Sequence, residues 1–225
     1  MVPGHQTRAS SPSYIPSVKL LSWTLVAGTL LVTGALHDGQ PPQPSVGQAF
    51  SPPAAPTVGR TVAPAAGSVV QPLQPSAPLR LRIPTIGVDA PVSKLDLDAS
   101  GALQPPPADH PGLAGWYGGG PPPGSVGTAV TTGHVDLPNG QRGVFYGLGS
   151  VAKGNTIEVD RADRRTALFT VDAVEVYDKE RFPDDKVYGS SGRAELRVIT
   201  CGGGYTKHSG YQGNVVVYAT LTGVR

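Results

Sequence analysis

Residues 79–225 predict an all-β domain, a closed barrel or a sandwich, and three observations predict it. Apolar residues come in short β-branched runs, Gly, Pro, Asn and Asp clusters separate those runs, and no stretch of ten or more residues carries a 3.6-residue period. In order, the runs are 79–83, 88–92, 128–132, 155–160, 167–177, 195–201 and 214–222, with a weaker one at 102–104. Segment 144–148 is long enough only for a strand or a single helical turn. Breakers such as Pro105-Pro106-Pro107, Gly118-Gly119-Gly120-Pro121 and Pro138-Asn139-Gly140 fall between them. Seven or eight short strands in 147 residues fit a barrel or a two-sheet stack.

The region before residue 79 has a different character. Residues 20–36 (LLSWTLVAGTLLVTGAL) are uncharged and apolar. As a helix they would reach about 25 Å against a bilayer core of about 30 Å. Lys19 can snorkel, and Arg8 and Lys19 on the N-terminal side place that end in the cytoplasm. A retained single-pass anchor is expected; a signal peptide cleaved near Thr33-Gly34-Ala35 is the competing reading, and both export the domain. From 39 to 78 there are ten prolines and one charge, Arg60. Such a stretch buries too little apolar surface to offset its ordering entropy, so an extended, disordered spacer is expected. In polyproline form it would reach on the order of 120 Å. The expected organisation is a cytoplasmic tail at 1–19, a transmembrane anchor at 20–36, a Pro-rich stalk at 37–78 and one globular domain at 79–225.

Composition narrows the chemistry. Only 15% of the 225 residues are charged and the net charge is +2, so nothing favours nucleic acid. One cysteine, Cys201, excludes an internal disulfide and any multi-cysteine metal site. There is no HExxH, no EF-hand spacing and no phosphate-binding Gly-Lys-Ser/Thr, so neither a metal nor a cofactor is expected.

Two residues at run ends remain. Cys201 closes Glu195-Leu-Arg-Val-Ile-Thr-Cys201 and is followed by three glycines, which leaves room beside the sulfur for a substrate backbone. It reads either as a reactive thiol or as a small buried hydrophobe; an unpaired thiol outside the cell is an oxidation liability, which favours the first. His134 closes Thr128-Ala-Val-Thr-Thr-Gly-His134 and is the histidine fixed by a strand. A cysteine nucleophile needs such a proton partner. His208, in the Gly-rich loop after Cys201, is its rival, and spacing alone does not choose between them.

Thr-Gly-His134-Val-Asp, Val-Ile-Thr-Cys201-Gly-Gly and Asn-Val-Val-Val-Tyr-Ala together resemble the sortase family, the membrane-anchored cysteine transpeptidases of Gram-positive bacteria. The similarity is nearest to the actinobacterial class E and F branches, class F above all. His precedes Cys by 67 residues, and Gly115-Trp116-Tyr117 and Arg181-Phe182-Pro183 followed by Val187-Tyr188-Gly189 match as well. The resemblance implies an eight-stranded sortase-type barrel with short helical turns and with Cys201 and His134 facing across a groove. It also implies attack by the Cys201 thiolate on the Thr–Gly bond of an LPxTG-like or LAxTG-like sorting signal. His134 would protonate the leaving amine. An amine of a peptidoglycan precursor or of another protein would then resolve the acyl-enzyme, so the implied partners are sorting-signal-bearing surface proteins and an amine acceptor.

One position departs from the pattern. The family's arginine, thirteen residues after the cysteine, is Asn214 here. Two replacements are open: Asn214 donates to the oxyanion itself, or Arg197 does, since Arg197, Ile199 and Cys201 share one face of a strand. Two other functions compete. One is an L,D-transpeptidase-like cell-wall enzyme, disfavoured by Thr200 before and Gly202 after the cysteine. The other is a non-catalytic module that binds sorting peptides, which the change at Asn214 keeps open.

Overall fold

Eight strands succeed one another round a closed ring in the computed structural model, which describes residues 39–51 and 70–225. They are β1 (Pro78–Ile83), β2 (Val88–Leu95), β3 (Ala114–Tyr117), β4 (Gly127–Thr132), β5 (Thr156–Arg161), β6 (Thr166–Asp178), β7 (Ala194–Thr206) and β8 (Gly210–Val224). Their spatial order is β1-β2-β3-β4-β7-β8-β6-β5, with β5 closing onto β1. Only the β2–β3 and β4–β7 contacts are parallel. A single short helix, α1 (Asp184–Tyr188), lies among the described residues.

Side-chain alternation decides what fills the ring. Along β1 and β5, Leu81, Ile83, Ile157 and Val159 turn inward while Arg82, Glu158 and Asp160 face outward and pair with one another. Phe169, Leu196, Val198 and Val217 complete that interior. The strands β4, β7 and β8 differ because both of their faces are covered. Val130, Ile199, Val216 and Tyr218 form a second, outer cluster under Val187 of α1, with Leu103, Tyr117 and Phe182 packed against it. That double burial explains why 128–132, 195–201 and 214–222 read as nearly continuous apolar runs rather than as alternating ones.

Four local expectations are corrected or narrowed. β3 was not among the runs, because its four residues include Gly115, whose missing side chain lets Leu95 pack where a Cβ would sit. The weak run at 102–104 supplies only an isolated bridge from Leu103 to Leu97. Segment 144–148 is a series of turns leading into a 3-10 turn at Leu148–Ser150. β7 and β8 run past the expected ends, through Gly202–Gly204, and Tyr205 pairs with Tyr211 across the hairpin. Glycine carries no side-chain signal, so only the partner strand reveals that these residues are paired.

The expected anchor at 20–36 lies outside the described residues. Among the described residues no helix is long and apolar enough to cross a membrane. The spacer expected at 37–78 is described in part, and those parts lie against the barrel. Leu73 is buried in the interior cluster and its amide donates to Gly124 at 2.8 Å. Arg161, wholly buried, donates to the carbonyls of Pro123 and Gln74. From the earlier piece, Gln43 accepts from the amide of Gly203 at 3.0 Å and Gln48 from that of Lys153 at 2.9 Å. The Phe50 ring stands edge-on to Tyr218 at 5.0 Å. The physical reason is that proline-rich backbone has unpaired carbonyls, and Leu73 and Phe50 supply apolar surface that a composition average hides.

Candidate active site

Register places the site. Thr132 on β4 pairs with Ile199 on β7 in parallel, so two further residues along both chains set His134 level with Cys201. Cys201 in turn pairs with Asn214 on β8, and Asn214 with Tyr177 on β6. Directly opposed residues point to the same face. His134, Cys201 and Asn214 are therefore successive members of one row across adjacent chains, about 4.8 Å apart strand to strand, on the outer face of the barrel.

Two contacts behind the row keep β4 and β7 together beyond the last strand pair. The amide of Gly133 donates to Ile199 O at 3.3 Å, and the buried hydroxyl of Thr200 donates to Gly133 O at 2.8 Å. Gly133 has to be glycine, because a Cβ there would overlap Val144 and Phe145. On the other side of the thiol, Gly203 has φ +77°, a left-handed conformation at the irregularity in the β7–β8 ladder. The chain thus turns away just after the sulfur and leaves Cys201 exposed.

The three side chains line one cleft of about 430 Å³. Thr132 and Ile199 form its apolar floor at one end, continuous with the outer cluster. Asp136, Leu137, Pro138, Tyr205 and Tyr211 line the other. Pro105 reaches over the edge, and the next residue fixes the imidazole: His134 Nε2 lies 2.7 Å from the Pro106 carbonyl oxygen. A carbonyl only accepts, so Nε2 carries the proton in this pair and Nδ1 is the nitrogen left for exchange. Tyr211 donates to Asp136 at 2.5 Å and ties the β7–β8 hairpin to the chain two residues after His134. The Asp136 carboxylate and burial together push the Tyr211 hydroxyl's pKa well above the ordinary range, burial contributing most.

Arg197 is not brought to this cleft. It shares the face of Cys201, but four residues along a strand is about 13 Å. Its guanidinium is buried beside α1, paired to Glu195 at 2.7 Å, donating to Val187 O at 3.0 Å and lying 4.5 Å over the Tyr218 ring. Burial pushes the Glu195 carboxyl up, but hydrogen bonds from Ser191, Arg197 and Arg193 outweigh it and hold the group below its usual range. Asn214 is half-buried in the cleft, and its amide has no hydrogen-bond partner among the described residues. His208 sits exposed in the turn joining β7 to β8 and does not line the cleft, and His110 is exposed beside Asp109.

The sortase-domain family model matches residues 81–222. The chain belongs to the sortase family. Membership of that family sets the L,D-transpeptidase-like reading aside. Among solved structures, sortase A from Corynebacterium diphtheriae is 21% identical, with a TM-score of 0.48 over 66% of this chain and 61% of that one. Sortase C-1 from Actinomyces oris is 22% identical, with a TM-score of 0.48 over 63% of this chain and 64% of that one. Sortase A from Listeria monocytogenes is 18% identical, with a TM-score of 0.47 over 66% and 90%. This sortase therefore spans about three-fifths of the length of the first of these chains. No curated protein matches it.

Sequence reading missed three supports of this site: the Pro106 carbonyl, the Thr200–Gly133 bond and the Tyr211–Asp136 tie. The proline triplet, the Thr before the cysteine and the acid two residues after the histidine are the signals that could have marked them.

Proposed function

We propose that this sortase is a membrane-anchored transpeptidase of the actinobacterial class E/F branch, class F above all, acting outside the cell on an LPxTG-like or LAxTG-like sorting signal. The observation that carries the reading is the single row His134–Cys201–Asn214 at the head of an apolar trough. The peptide's apolar residues lie along Ile199 and Thr132, which brings the Thr–Gly carbonyl over the exposed sulfur. Cys201 thiolate adds to that carbonyl, His134 imidazolium gives its proton to the glycine amine, and the C–N bond breaks to leave a thioester. An incoming amine attacks the thioester, His134 takes its proton and the electron pair returns to sulfur.

Asn214 is the oxyanion donor in this scheme. Its amide is directly across from the sulfur and uncommitted, whereas Arg197 is spent on Glu195 and Val187. An uncharged donor suffices in other acyl-transfer sites, where removing one costs about 2.7–4 kcal/mol, or 10²–10³ in rate.

The test is intact-mass analysis of the full-length chain in detergent after mixing with sorting peptides that differ only at the second position, proline or alanine. An acyl adduct confined to Cys201, absent from Cys201→Ala and formed about a hundredfold more slowly by Asn214→Ala, is the expected result. Peptide binding with no adduct would instead make the domain a sorting-peptide-binding module, the alternative that asparagine in place of arginine keeps open.

A further inference from the structure

The cleft has two unlike ends, and only the apolar one is occupied by the acyl half of the scheme above. The other end adds a carboxylate and aromatic faces to Leu137 and Pro138. Asp136 follows His134 by two residues, across a bend at Val135, and lines the same cleft. One of its oxygens, Oδ2, accepts from the Tyr211 hydroxyl at 2.5 Å. The other accepts from no described residue, and no arginine or lysine among the described residues pairs with this carboxylate. The nearest candidate along the chain, Arg142, bridges Asp136 only through backbone, and its guanidinium lies 4.3 Å from the centre of the Tyr146 ring. Tyr205 is 54% exposed, lines the cleft and packs against Tyr211 with ring centres 5.0 Å apart. A negative oxygen beside exposed aromatic faces is the chemistry that holds an organic cation.

We propose that Asp136, Tyr205 and Tyr211 form the acceptor subsite, which binds the second substrate as a primary ammonium and delivers it to the thioester on Cys201. The assignment rests on the sortase reading and adds to it the residues that hold the amine acceptor and the charge state in which they hold it. The bound ammonium loses one proton to solvent at the carboxylate. The resulting amine attacks the thioester carbonyl, its second proton passes to His134, the C–S bond breaks, and the electron pair remains on sulfur. The tie from Tyr211 holds the carboxylate in place, and Tyr205 closes the side that faces solvent. An α-ammonium at a peptide terminus and an ε-ammonium on a lysine side chain share this chemistry.

The experiment uses the full-length chain in detergent with a sorting peptide and three acceptors: triglycine, Nα-acetyl-lysine amide and hydroxylamine, the last uncharged at neutral pH. Acyl adduct on Cys201 is read first, before any acceptor is added, so loss of the sortase reading shows there and separately. Asp136→Asn keeps an oxygen for Tyr211 and removes the charge. Its expected effect is a rise of about tenfold in KM for a charged acceptor with less than a twofold change for hydroxylamine. A rise for triglycine alone or for the lysine amide alone supports the subsite and identifies which ammonium it takes. Equal rises for all three acceptors, or no change in any, overturn it. Tyr205→Leu, at an exposed position, carries the same comparison with a rise of about threefold, and decides the matter if Asp136→Asn does not fold.

Discussion

Thr200→Val isolates the bond that levels the row of His134, Cys201 and Asn214. Thr200 is 3% exposed, and its hydroxyl is the only donor that Gly133 O receives among the described residues. Valine keeps the shape and adds a methyl, so the loss is the hydrogen bond plus the cost of a buried, unpaired carbonyl. A neutral bond contributes about 1 kcal/mol net and an orphaned acceptor costs about 1–3 kcal/mol. About 2 kcal/mol is therefore expected, nearly thirtyfold in the unfolding equilibrium. With a urea slope of about 2 kcal/mol per molar, the midpoint falls by about 1 M. Because the bond holds the residue next to His134, single-turnover acylation should slow by about tenfold under conditions where the variant is fully folded. Thr200→Ser keeps the hydroxyl and should recover most of both losses. The reasoning is refuted if Thr200→Val shifts the midpoint by less than 0.3 M (about 0.6 kcal/mol at this slope), or if serine is as damaging as valine.

Other expectations follow from individual polar and charged side chains. Arg161→Met leaves the carbonyls of Pro123 and Gln74 without donors and should cost about 3–5 kcal/mol, measured by urea unfolding. Arg197→Met takes the buried partner from Glu195, which keeps Arg193 and Ser191, and leaves Val187 O without its donor, so it should cost about 1–3 kcal/mol of stability, whereas Asn214→Ala should cost rate; stability unchanged in the first and acylation unchanged in the second would reverse their assigned roles. The Asp160 carboxyl is held below its usual range, first by its hydrogen bonds from Arg82 and then by Thr166. Its contribution is full above the ordinary carboxylate range and lost as pH falls through the lowered value, so the urea midpoint should drop below pH 4. Arg82→Gln should flatten that acid limb, and an unaltered slope would count against the pair.

Why some of this was legible and some was not is plain from particular residues. The runs at 79–83 and 155–160 alternate because one face meets the interior and the other meets water, and both became strands at nearly those bounds. Cys201 and His134 were legible as the ends of apolar β-branched runs, the first before three glycines and the second shortly before Pro138-Asn139-Gly140. Arg197 misled because a shared strand face says nothing about distance along it. Leu73, Phe50 and Gln43 were hidden in a segment whose average composition reads as spacer, since one buried leucine or one ring contact does not move an average.

By itself the sequence determined the all-β class, every strand but β3, the thiol and the imidazole, because each depends on local periodicity and residue chemistry. Only the tertiary structure decided that His134, Cys201 and Asn214 stand in one row, that Arg197 serves Glu195 instead, and that Asp136 meets Tyr211 across the cleft. Those facts depend on which strands become neighbours and in what register. Closure of the barrel, parallel β4–β7 pairing above all, sets that register between residues 67 apart.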